Sequence, residues 1–99
     1  MIGVFVRFRY EDNFNEQAIR KIAETARARF ENMPGLHSKA FTVNSAEREA
    51  TNFYVWDSAD AAKAFFTDEL LERVKGLYGV RPSVEFVQIV TLVENDRSR

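Results

Sequence analysis

Thr51-Asn52-Phe53-Tyr54-Val55-Trp56-Asp57-Ser58-Ala59-Asp60-Ala61-Ala62-Lys63-Ala64-Phe65-Phe66 (residues 51–66) changes character half-way. Its first six residues are aromatic, β-branched or small polar, the mixture that suits a pleated, half-buried strand. Asp57 or Ser58 then offers a side-chain oxygen to the free N–H groups of a helix start, and the alanine-rich run after it is helix-forming. The strand thus runs straight into a capped helix.

Upstream, Ser45–Ala50 (SAEREA) is a polar turn, and LHSKAFTVN (36–44) is a strand that pairs with 51–56 as a hairpin. Before it, Pro34-Gly35 stops a helix: proline breaks the hydrogen-bond ladder, and glycine accepts a left-handed cap. That helix spans 15–32, with Ile19, Ile22, Ala23, Ala26, Phe30 and Met33 at helical spacing. Asn13, three residues before Glu16, and Asn15 compete as its N-cap. The chain opens on a strand over 2–10, with Ile2, Val4, Val6, Phe8 and Tyr10 on one parity and Gly3, Phe5, Arg7 and Arg9 on the other.

Downstream, Thr67-Asp68 is a fresh N-cap, so the second helical region breaks near Thr67 and resumes through Leu70, Leu71, Val74 and Leu77. Gly76 and Gly79 end it. A last strand, SVEFVQIVTLVE (83–94), is long enough to reach beyond its own sheet, and a polar tail (96–99) follows one domain over 1–95. The order β-α-β-β-α-β is the split βαβ pattern of an α+β, ferredoxin-like fold, a four-stranded antiparallel sheet with helices on one face. The other face needs cover, and a twin subunit supplies it most simply, so a homodimer is expected. Thirteen per cent aromatic residues, nine of them Phe, is more large apolar surface than 99 residues easily hide.

The formal net charge of −1 is not the basic footprint of a nucleic-acid binder. The absence of cysteine excludes a disulfide scaffold, a thiol nucleophile and a Cys-ligated metal. The N-terminus meets Arg7 and Arg9 well short of a signal peptide's apolar stretch, and no apolar run approaches the ~20 residues of a membrane span. A cytoplasmic protein without membrane contact is expected.

Three stretches carry a family resemblance: MPGLHSK (33–39), NFYVWDS (52–58) with Ala61-Ala62 and Phe65-Phe66, and PSVEFVQIVTLVE (82–94). Together they resemble the dimeric α/β-barrel superfamily, and most closely the YdhR-type mono-oxygenases and their antibiotic-biosynthesis mono-oxygenase relatives. The resemblance implies two sheets packed across a twofold and a pocket in each subunit between sheet and helices. Haem-degrading members are similar at Trp56 but also use an Asn in the first strand and a His in the second helical region. Here the first strand carries Arg7, Phe8 and Arg9, and residues 58–79 hold no histidine, so the resemblance does not extend to haem degradation.

His37, the only histidine, is a candidate proton carrier, because histidine titrates near neutrality; the alternative is a strand-edge residue after a turn. Asn52, Tyr54 and Trp56 share one strand face. They either line a pocket, with Trp56 as aromatic wall, Tyr54 as hydroxyl donor or acid and Asn52 polarising a carbonyl, or pack a core or dimer interface. Arg7 and Arg9 either bind an anionic substrate or pair with Glu49 and Glu85. Phe65, Phe66, Leu70 and Tyr78 form either a pocket ceiling with a lid at the helix break or plain core.

No metal-ligand spacing, phosphate loop, flavin or nicotinamide motif is present, so no cofactor is expected. Three functions compete. One is a cofactor-independent mono-oxygenase of small aromatic or polyketide-like molecules. The others are a non-catalytic small-molecule binder, which needs the pocket but no acid or base, and a protein-interaction module, whose pocket would be filled by its own side chains.

Overall fold

In the computed structural model, which describes residues 1–95, the elements are β1 (Ile2–Arg9), α1 (Glu16–Phe30), β2 (Leu36–Asn44), β3 (Glu49–Trp56), α2 (Ala59–Phe65), α3 (Asp68–Tyr78) and β4 (Ser83–Gln88). The polar tail expected over 96–99 lies outside the described residues. The strands form one antiparallel sheet in the order β2-β3-β1-β4, which is the ferredoxin-like α+β topology.

Strand alternation sorts the sheet into two faces. The register sets Val4 between Tyr54 and Phe86, and Val6 between Asn52 and Val84. Val4, Val6 and Phe8 are fully or almost fully buried beneath the helices. Truncating a ring as enclosed as that of Phe8 costs about 3–5 kcal/mol. The opposite face carries Phe5 across from Phe53, with Arg7 and Arg9 further along β1, and these side chains are half-buried or exposed.

Each helix starts on a side-chain cap. Asn15, rather than Asn13, accepts from the Ala18 N–H, Ser58 from Ala61 and Thr67 from Leu70, each at 3.1 Å. The break near Thr67 is real and separates α2 from α3. Gly79 closes α3 in the left-handed region at φ +86°, whereas Gly76 lies inside the helix rather than ending it. Gly35 also has positive φ, +82°, and passes so close to α2 that a Cβ there would stand 3.0 Å from that of Ala61.

Several boundaries differ from expectation: β1 ends at Arg9 rather than 10, and α1 runs from Glu16 to Phe30 rather than over 15–32. β3 starts at Glu49, so the turn shrinks to 45–48. β4 ends at Gln88, not 94, because β1, its only neighbour among the described residues, begins at Ile2 and leaves nothing for residues 90–94 to pair with. Val90 and Val93 are consequently exposed.

Candidate functional site

Between the sheet and the helices lies a cavity of about 140 Å³. Asn52 and Tyr54 reach it from β3 because their parity matches the buried face of β1. Phe30 of α1 closes one side, and Phe65, Phe66 and Leu70, gathered where α2 gives way to α3, form the ceiling. Tyr78, on the last turn of α3, completes the wall and stacks on Phe8 with ring centres 3.8 Å apart.

The polar tips are few and tethered. Asn52, buried, donates through Nδ2 to the Tyr78 hydroxyl at 3.2 Å. The Tyr10 hydroxyl donates to the Tyr78 carbonyl at 2.8 Å. Burial, and then their mutual repulsion, pushes the Tyr54 phenol well above its ordinary range, and burial raises that of Tyr78. Both hydroxyls therefore stay protonated at neutral pH and act as hydrogen-bond donors or acids, not as bases.

Trp56 sits one layer behind the cavity rather than on its wall. It is almost fully buried, stacks parallel to Tyr54 at 6.1 Å and tilts against Phe65 at 5.1 Å. Its place follows from the register, which sets it opposite Ile2 at the end of β3 and beneath Gly35. Among the described residues its Nε1 is the buried side-chain polar atom without a hydrogen-bond partner.

His37 and Arg7 do not join this group. His37 borders a separate open cleft of about 450 Å³, and its Nε2 lies 2.9 Å from Glu94 Oε2. Arg7 stands on the opposite sheet face, 5.7 Å from the Phe5 ring centre, because β1 alternation turns it away from the helices. Its neighbour Arg9 pairs with Glu49 directly across the ladder at 2.9 Å. Of the sequence candidates, the structure brings together Asn52, Tyr54, Phe65, Phe66, Leu70 and Tyr78.

The residue that sequence reasoning missed is Lys39. It borders both the cavity and the open cleft, with Nζ 3.4 Å from the ring centre of Phe30, 4.0 Å from Phe41 and 4.3 Å from Tyr54. Burial, and secondarily the charge of Arg29, lowers its pKa to about 7. Its parity with Phe41 and Val43 was the available signal. That signal was obscured by a bulge at His37, which shifts the β2 register and lets Leu36 and Lys39 face the same side. No three metal-ligating side chains converge among the described residues.

The family model described as "Putative mono-oxygenase ydhR" matches residues 4–84. The chain belongs to the ydhR family. That stretch contains every element that builds the cavity. No curated protein sequence matches this ydhR family member. Its fold is shared with solved structures of low identity. The mono-oxygenase from ActVA-Orf6 of Streptomyces coelicolor, in complex with nanaomycin D, is 19% identical with a TM-score of 0.69, over 96% of this chain and 92% of that one. A mutant of SnoaB, a cofactor-independent oxygenase from Streptomyces nogalater, is 13% identical with a TM-score of 0.66, over 95% and 97%. A Nitrosomonas europaea protein of unknown function is 14% identical with a TM-score of 0.72, over 96% and 94%. Among the described residues no helix is long and apolar enough to cross a membrane.

Proposed function

We propose that this ydhR family member is a cofactor-independent mono-oxygenase that oxidises a small phenolic or polyketide-like aromatic molecule in the cavity beneath Phe65 and Phe66. The observation that carries the reading is the cavity itself, enclosed by aromatic rings and fitted with a few tethered hydroxyl and amide groups. The ActVA-Orf6 and SnoaB structures, a mono-oxygenase holding nanaomycin D and a cofactor-independent oxygenase, share its fold and favour the same chemistry.

In this reading the rings of Phe65 and Phe66 stack on the substrate and exclude water, while Tyr54 and Tyr78 donate to its oxygen and Asn52 holds Tyr78 in place. Ionisation makes the ring electron-rich enough to give electrons directly to O₂. One oxygen atom enters the ring and the other leaves as water, the oxidised ring carbon having supplied the electrons, so that a phenol becomes a quinone. A cavity near 140 Å³ holds about one aromatic ring. A polycyclic substrate enters only if the α2–α3 junction lifts. The protein works as a cytoplasmic homodimer. The half-buried Phe5 and Phe53 pair on the uncovered sheet face supports the dimer.

The test is oxygen uptake by purified protein with a panel of anthrones and hydroxynaphthalenes, without added flavin and with a chelator present, alongside quenching of Trp56 fluorescence. Saturable quenching and uptake by one compound class are expected. A panel that neither quenches nor is oxidised would sink the reading.

A further inference from the structure

Lys39 has no role in the binding described above, yet its amine sits at the only point that borders both the aromatic cavity and the neighbouring cleft among the polar groups of β2 and β3. Three ring faces surround Nζ within 4.3 Å, and it forms no ion pair with a carboxylate among the described residues. We propose that Lys39 is the proton acceptor of this site, taking the hydroxyl proton of a phenolic ligand seated in the cavity and then holding the phenolate as its ammonium counter-ion. The inference rests on the reading that the cavity takes a hydroxylated aromatic ring. The step is balanced: the O–H bond breaks, an N–H bond forms, the electron pair stays on oxygen, and the pair as a whole remains neutral.

The surroundings suit both sides of that transfer. Burial and Arg29 lower the amine's pKa to about 7, so above neutrality it carries a free lone pair. Once protonated, the ammonium faces the negative ring faces of Phe30, Phe41 and Tyr54 and the new phenolate, all of which favour the charge. The other charged and titratable groups nearby do not replace it. Arg29 and Arg73 stand at the cavity rim and offer hydrogen-bond donors only, and the Tyr54 and Tyr78 phenols are raised by burial. Glu24, Arg27, Glu31 and His37 belong to the cleft.

The experiment binds 4-chloro-1-naphthol, whose second ring enters as the α2–α3 junction lifts, to the whole protein without oxygen, at about pH 8, above the point where Lys39 titrates. The naphtholate absorbs at longer wavelength than the naphthol, and Trp56 quenching reports occupancy. Wild type is expected to bind the naphtholate with almost no proton released to the buffer, since the proton stays on Lys39. Lys39→Met should quench as before but bind the neutral naphthol. Lys39→Arg, a fixed cation, should bind the naphtholate and release about one proton per ligand. Neutral naphthol in the wild type, naphtholate in Lys39→Met, or proton release by the wild type equal to that of Lys39→Arg would each overturn the assignment while leaving the aromatic cavity standing. A wild type that quenches with no hydroxylated aromatic would remove the cavity reading and this one together.

Discussion

Lys39 burdens the fold below neutrality. Its folded pKa, about 7, lies below the 10.5 of an exposed lysine. Between those values the unfolded chain binds the proton that the folded chain has lost, so stability rises with pH across that window. Below pH 7 the penalty is complete, because the folded protein must hold the buried ammonium. Lys39→Met is therefore expected to stabilise the protein near pH 6 by on the order of 2 kcal/mol, the three ring faces offsetting part of the larger desolvation cost. The gain should fade as pH rises toward 10, and melting curves across that range check it; a gain independent of pH would contradict the assignment. Asn52 makes the opposite case, a buried polar group worth keeping. Asn52→Ala leaves the Tyr78 hydroxyl without its partner, at a cost of about 1–3 kcal/mol. It should also lower turnover about tenfold or more while ligand quenching persists, if Tyr78 donates to the developing charge. Equal turnover would show that Asn52 is structural alone.

The α2–α3 junction decides how the cavity opens. Phe65 and Phe66 hang from a helix end held by one side-chain cap, Thr67 Oγ1 accepting from the Leu70 N–H. Thr67→Ala should cost about 1 kcal/mol and speed amide exchange over residues 65–72 more than in the sheet. Uniform acceleration would mean that the junction opens only with the whole fold. Gly35→Ala tests the other end of the same layer, since positive φ and the 3.0 Å approach to Ala61 both oppose a Cβ. A loss of about 1–3 kcal/mol is expected from thermal unfolding. These junctions were legible in the chain: Thr67-Asp68 and Pro34-Gly35 are local signals, and local signals survive folding. So was the whole order of elements, because every helix carried its cap and every strand its alternation. The end of β4 was not legible, since IVTLVE has strand chemistry but β1 has no residues left to pair with it. The cavity was half legible. Asn52, Tyr54, Phe66 and Tyr78 lie in elements whose parity is regular, whereas the bulge at His37 hid Lys39 and carried the lone histidine out to the cleft. Trp56 was recognisable as important, but its depth behind Tyr54 depends on packing that no single strand encodes.

At the scale of the molecule, the helices cover one sheet face and leave the other open. On that open face Phe5 and Phe53 lie 4.7 Å apart, and Phe53 also rests against Gly3, where a Cβ would come within 3.1 Å of its ring. The segment after β4 adds Val90 and Val93, 97% and 79% exposed. A stable twofold interface across this face needs about 1,200–2,000 Å² of buried surface. Phe53→Glu separates the two possibilities. On a solvated sheet face it costs within about 1 kcal/mol, but at a twofold interface it buries two unpaired carboxylates close together. Light scattering at micromolar concentration should therefore find wild type at twice the 11.5 kDa chain mass and Phe53→Glu at that mass itself. Ala28→Glu, the same charge change on an exposed position of α1, should remain a dimer. Because the cavity opens on the helix side of the sheet, a folded Phe53→Glu monomer should still show ligand quenching of Trp56. A Phe53→Glu protein that keeps twice the chain mass would move the interface off the sheet and onto the helices or the strand edges.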